Sequence, residues 1–161
     1  MTTPISGDGG AAIYARLEAL GLTLPEVVPP LAAYVPAVQS GNYVYVSGQL
    51  PIIDGKLPLT GKVGAEVTAE QGAELARTCA LNALAAIDAL VGLGRVVKIV
   101  KIAGFVASAP GFTAQPDVIN GASQLFQDVL GELGRHARSA VGVAELPLGA
   151  PVEVELTVEV R

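Results

Sequence analysis

Residues 137–160 read ARSAVGVAELPLGAPVEVELTVEV, and the last third of this stretch decides the fold. Val152, Val154, Leu156, Val158 and Val160 alternate strictly with Glu153, Glu155, Thr157 and Glu159. A two-residue period puts the apolar set on one face of a strand and the polar set on the other. Ahead of it, Pro147 to Pro151 turns the chain and Arg138 to Leu146 reads as a further strand.

Working back towards the N-terminus, the period changes to that of a helix. Val118, Ala122, Leu125, Phe126, Val129 and Leu133 place a helix over about Asp117–Leu133 with those residues inward. The Ser-Ala-Pro-Gly stretch at 108–111 separates it from Val96–Ala107, a β-branched run expected to be a buried strand. Thr68 and Gln71 have the spacing of a capping box. After them Leu75, Ala76, Cys79, Ala83, Leu84, Ile87, Leu90 and Val91 recur at helical spacing until Gly92 or Gly94. Residues 51–64 are turn-rich, with Asp54-Gly55 suited to a hairpin, and Asn42–Ser47 alternates as a strand. Four prolines, at 25, 29, 30 and 36, predict an extended run over Leu24–Pro36. Ile13, Leu17 and Leu20 predict a short helix ended by Gly21.

The predicted order after the N-terminal segment is β-(turn)-β-α-β-α-β-β, an α+β domain with two main helices on one face of a mixed sheet. Two helices cover one face only. The other face, with Tyr43, Tyr45, Ser47 and the acids of the last strand, must meet solvent or another subunit. The length of 161 residues suits one domain. Hydrophobic residues make up 51% and charged ones 16%, and the mean hydropathy is +0.52. No apolar run reaches the roughly 18–20 residues that span a bilayer, so this hydropathy points to burial between subunits rather than to a membrane.

Composition also excludes. A net charge of −5 argues against a general affinity for nucleic acid, which needs clustered basic residues. One cysteine, Cys79, allows no intrachain disulfide and suits a reducing, cytoplasmic compartment. Met1–Gly10 has no basic and apolar halves of a signal peptide. With one His and one Cys there is no zinc spacing and no identifiable Ser-His-acid triad, so no metal or other cofactor is expected.

Arg138 is the informative residue. It opens a small, apolar strand, where a guanidinium must be solvated, paired or left for an anion. Its planar fork matches a carboxylate through two hydrogen bonds. Two readings stay open: an ion pair with Glu153, Glu155 or Glu159 on a neighbouring strand of the hairpin, or a ligand site. His136, flanked by Arg135 and Arg138, is expected to resist protonation and to serve at the surface or as a cap. Cys79 belongs to the helix's buried stripe, and Tyr43 and Tyr45 suit a subunit interface better than a ligand.

Two segments resemble a known family. Tyr-x-x-Ala-Val-x-x-Gly-Asn-x-Val-x-Val-Ser-Gly-Gln-x-Pro at 34–51 is similar to the N-terminal signature of the RidA (YjgF/YER057c/UK114) family. Ala-Arg-Ser-x-Val-x-Val-x-x-Leu-Pro at 137–147, followed by Val-Glu-Val-Glu at 152–155, resembles its C-terminal signature. The resemblance divides the chain into an N-terminal extension, residues 1–33, and a RidA-like domain, residues 34–161, of a longer and less characterised branch. It implies a chorismate-mutase-like fold, a homotrimer with clefts between subunits, and hydrolysis of enamines and imines such as 2-aminoacrylate to a 2-keto acid and ammonia. In that scheme Arg138 holds the substrate carboxylate, Glu153 binds or orients water, and Tyr34, Ser47, Ala140 and Asn120 line the cleft. This sequence departs from the pattern at Ala33-Tyr34-Val35-Pro36, at Ala140 where cysteine is common, and in a longer loop at 108–116. Those departures motivate an alternative, a non-catalytic protein that binds or senses small carboxylates. RNA cleavage, attached to some relatives, suits the acidic composition poorly.

Overall fold

The computed structural model describes residues 9–161; the beginning of the N-terminal extension, residues 1–8, and most of the Met1–Gly10 stretch lie outside the described residues. The described residues form three α-helices, α1 (Gly9–Ala19), α2 (Ala69–Val91) and α3 (Gln115–Leu130), and five strands, β1 (Ala37–Ser40), β2 (Tyr43–Gln49), β3 (Val96–Ala107), β4 (Ala137–Val143) and β5 (Val152–Val160). The strands form one mixed sheet in the order β1-β2-β5-β3-β4. β5 is antiparallel to both β2 and β3, so β2 and β3 run parallel with β5 slotted between them, and α2 makes the crossover. β3, α3 and β4 form a second parallel crossover unit.

Thr68 starts α2 with a reciprocal box. The Gln71 N–H donates to Thr68 Oγ1 at 3.1 Å and the Thr68 N–H donates to Gln71 Oε1 at 2.9 Å. Such a cap contributes about 1 kcal/mol. Leu75, Ala76, Cys79, Ala83, Leu84 and Ile87 are buried on its inner face, as their spacing predicts. α2 and α3 then pack closely because small residues line their crossing. A Cβ placed on Gly121 would collide with the Ala73 carbonyl, and one on Gly104 of β3 would collide with the Ile119 side chain of α3. These two glycines set α3 tightly against both its layers. Ile13 and Leu17 of α1 join the same core. The Tyr14 hydroxyl donates to the Asp88 carboxylate, and Arg16 Nη1 donates to the Val129 carbonyl at 3.4 Å. α1 therefore rests on the C-terminal ends of α2 and α3.

The structure corrects four expectations. First, the partner of β2 on the edge side is β1, across the Gly41-Asn42 turn, and not a strand following residue 51. Asp54 and Gly55 do adopt the positive φ values of 50° and 78° that a tight turn needs, but only an isolated Ile53–Lys56 bridge flanks them. Second, β4 ends at Val143, short of Leu146. Third, α3 stops at Leu130 and a 3-10 turn spans Gly131–Gly134.

The fourth matters most. β4 does not form a hairpin with β5 but pairs in parallel with β3, Ile102 opposite Arg138 and Gly104 opposite Ala140. Two antiparallel partners already saturate both edges of β5, so β4 can only join beyond β3, at the sheet's edge.

The inner face of the sheet carries Val44, Val46, Ile99, Ile102, Val106 and the five apolar residues of β5 beneath α2 and α3. The outer face presents Tyr43, Tyr45, Lys101, Glu155 and Thr157, and among the described residues no element lies over it.

Candidate functional site

Arg138 lies on the inner side of the edge strand, where its partner Ile102 is buried beneath the helices. α3 holds its guanidinium with neutral acceptors. Nη1 donates to Asn120 Oδ1 at 2.8 Å and to Ser123 Oγ at 3.2 Å, and Nη2 donates to the Pro116 carbonyl at 3.3 Å. The ion pairs among the described residues are Lys62–Glu145, Arg77–Asp128 and Arg135–Glu132, and none involves Arg138. The ion pair left open by the sequence is therefore not made within the chain. Among the described residues β4 pairs only with β3, so its far edge, beside Arg138 and Ala140, keeps unpaired backbone groups.

Glu153 sits elsewhere. It alternates with buried Val152 and Val154 and opposes Phe105, which places it on the outer face. Its carboxylate rests against Gly48, at the irregularity where β2 slips relative to β5; any Cβ at Gly48 would collide with it. Partial burial, and secondarily the Glu155 charge, push its carboxyl pKa up. Beside it, Ser47 is tied to the chain that leads into β1: its hydroxyl donates to the Val35 carbonyl at 2.6 Å and its N–H to the Pro36 carbonyl at 2.9 Å. Tyr34 lines a small cavity with Pro36 and Gly48, and its hydroxyl accepts from the Leu31 N–H at 3.2 Å.

One group thus contains Arg138, Asn120 and Ala140 against α3, and another contains Glu153, Ser47 and Tyr34 against Gly48. The chain does not bring the two groups together. Among the described residues no cluster of His, Cys, Asp and Glu could hold a metal ion, and no helix is long and apolar enough to cross a membrane.

Residues 14–160 match the family described as "YjgF/chorismate mutase-like, putative endoribonuclease". The chain belongs to the RidA (YjgF) family.

Among its relatives, protein TCP17 of Trypanosoma cruzi is 48% identical over 151 residues, covering 92% of this chain and 94% of that protein. A Dermatophagoides farinae protein named 2-iminobutanoate/2-iminopropanoate deaminase is 31% identical over 141 residues, 87% of this chain and 95% of that protein. The crystal structure of Atu1372, a protein of unknown function from Agrobacterium tumefaciens, superposes with a TM-score of 0.86 at 47% identity, covering 94% of each chain. The mixed α+β fold of this RidA-family member is the expected one.

Sequence reasoning missed Ser123, His136 as its partner, and Gly48. Ser123 lies one helical turn beyond Asn120, so a polar pair at i and i+3 on an otherwise apolar helix face was a usable signal. His136 is half-buried, and burial first, with Arg138 assisting, pushes its pKa down. Cys79 is wholly buried and its thiol pKa is pushed well up by desolvation, as for a core residue.

Proposed function

We propose that this RidA-family chain hydrolyses reactive enamine and imine intermediates bearing a small carboxylate, releasing a 2-keto acid and ammonia in clefts completed by a second copy of the chain. The reading rests on Arg138: a guanidinium held by neutral acceptors at an open sheet edge, with no acid among the described residues to neutralise it. The name of the Dermatophagoides relative supports the same chemistry.

The chemistry asks little of the protein. Arg138 holds the substrate carboxylate, and the backbone of Ala140 on the free edge of β4 lies beside it. Asn120 orients the guanidinium, and Tyr34 and Ser47 form the opposite wall. Glu153, supplied by the neighbouring copy, holds the attacking water. An enamine first takes a proton from solvent at carbon and becomes the iminium ion. Water oxygen then bonds to the imine carbon as the C=N π electrons move to nitrogen, and Glu153 takes the water's proton and returns it to the nitrogen. The C=O π bond forms as the C–N bond breaks and ammonia leaves, and Glu153 takes the hydroxyl proton and passes it to solvent. An iminium carbon is already electrophilic, so positioning and one proton shuttle suffice, and no cofactor enters. A carboxyl whose pKa is raised above the ordinary carboxylate value, by burial first, suits that shuttle. A ring of three copies in the cytoplasm meets the need for paired half-sites.

The deciding measurement is ammonia release from enzymatically generated 2-aminoacrylate. Acceleration by the wild type that disappears in Arg138→Ala supports the reading; equal rates in the two proteins sink it. A second reading, a carboxylate-binding regulatory protein, is favoured by the fact that the Arg138 grip is assembled without Glu153. Saturable binding of a 2-keto acid with no turnover of any imine would select it.

A further inference from the structure

We infer that Ser123 and His136 are positioning residues for the anion site, consuming one edge of the Arg138 guanidinium so that Nε–H and one Nη2–H remain for a carboxylate; this deepens the function proposed above and rests on it. The hydrogen bonds run in a line from the Gly134 carbonyl through His136 and Ser123 to Arg138. His136 Nδ1 is 2.6 Å from the Gly134 carbonyl, His136 Nε2 is 2.9 Å from Ser123 Oγ, and Ser123 Oγ is 3.2 Å from Arg138 Nη1.

Both ends of this line are chemically fixed. A carbonyl only accepts, so Nδ1 of His136 carries the hydrogen, and in the neutral ring Nε2 is then an acceptor. A guanidinium only donates, so Ser123 Oγ receives Nη1–H. The single Ser123 hydrogen is left to point at His136 Nε2. Each atom has one role, and the serine cannot turn its hydrogen towards Arg138 without breaking the bond to the imidazole. Burial first, and then the Arg138 charge, lower the His136 pKa against the opposing bond to the Gly134 carbonyl, which favours the neutral ring this arrangement requires. Phe126 packs edge-on against the ring, with centroids 6.2 Å apart, and limits its tilt.

The consequence is a count of donors. A guanidinium has five N–H groups. Ser123 and Asn120 take both on Nη1, and Pro116 takes one on Nη2. Among the described residues the two without an acceptor are Nε–H and the second Nη2–H, a pair that can serve as a two-point fork for a carboxylate. Nη1, fully engaged with α3, cannot compete for the ligand. The site is therefore built for one planar carboxylate.

The test compares wild type, Ser123→Ala, His136→Phe and His136→Gln. Glutamine can place an amide oxygen where Nε2 accepts from Ser123. We expect Ser123→Ala and His136→Phe to raise the KM for 2-aminoacrylate and the Kd for pyruvate about tenfold, the scale of one hydrogen bond to a charged group, with kcat within about twofold. His136→Gln should recover most of the affinity. Unchanged KM and Kd in folded Ser123→Ala and His136→Phe would overturn the inference, as would a fall in kcat at constant KM. Nitrogen-15 NMR of wild-type His136 at pH 7.5 reads the relay without any ligand. A neutral ring protonated on Nδ1 is expected, and a ring protonated on Nε2 or on both nitrogens overturns it. Wild type that neither binds pyruvate nor hydrolyses the imine would refute the proposed function, while the NMR result would still stand for or against the relay.

Discussion

Arg138 and Glu153 lie on opposite faces of the same sheet. Arg138 shares the inner face with Ile102 and reaches into α3, whereas Glu153 shares the outer face with Phe105 and rests on Gly48. β3 separates their strands. One copy of the chain therefore cannot bring both side chains to a small ligand, and the proposed cleft draws them from two copies.

Mixing tests that arrangement directly. Arg138→Ala and Glu153→Gln chains should each be inactive alone. Co-refolded at equal amounts, about a quarter of clefts would pair an intact Arg138 with an intact Glu153 of a neighbour, as random assembly across a heterologous interface dictates. Recovered ammonia release near that fraction is expected, and none would place both residues in one chain's site or outside the chemistry.

Glu153→Gln should also raise the melting temperature at neutral pH. The folded pKa of Glu153 is raised, by burial first, so the folded state binds more protons than the unfolded one just above the ordinary carboxyl pKa, and stability falls as pH rises through that window. Above it the ionised form carries the full penalty, which the amide removes. Thermal melts at pH 4 and pH 7.5 should show the variant's advantage at pH 7.5 and its loss at pH 4.

His136 has the opposite sign. Its folded pKa is lowered, by burial first, so below about 6.5, the unperturbed value, the unfolded chain takes up a proton that the folded chain resists. Stability should fall as pH drops from about 6.5 towards the folded pKa. Denaturant titrations at pH 7.5 and 5.5 should show a smaller acid loss in His136→Gln than in wild type.

Gly121→Val should destabilise by about 1–3 kcal/mol or more, the range for overpacking, because a side chain there would collide with the Ala73 carbonyl where α2 and α3 cross. Gly104→Val should act likewise through Ile119. Gly92→Asn, at the end of α2 with a φ of 82° and a ψ of 136°, should cost about 1–3 kcal/mol through backbone strain alone, since nothing lies near its Cβ position. Urea midpoints order the three variants.

Ile13 and Leu17 make α1 part of the core. Leu17→Ala should cost about 2–5 kcal/mol, and deleting residues 1–22 at least as much. A deletion with an unchanged melting temperature would show that α1 contributes nothing to the fold.

The elements whose signals are local could be read from the residues alone. The strict alternation of Val152–Val160, the Thr68–Gln71 box with its apolar stripe, and the break at Ser108–Gly111 each depend only on near neighbours in sequence. The two signature segments carried the family. What the residues could not supply was strand order: nothing local distinguishes a β4 that turns back on β5 from one that joins β3, because backbone hydrogen bonds carry no sequence label. That choice followed from β5 being flanked by β2 and β3, and it decided the surroundings of Arg138. It replaced a carboxylate on a hairpin partner with Asn120, Ser123 and Pro116 of α3, and it put Glu153 on the far face. The sequence by itself determined which residues could do chemistry; only the tertiary structure, through a long-range pairing, decided that they stand in two halves.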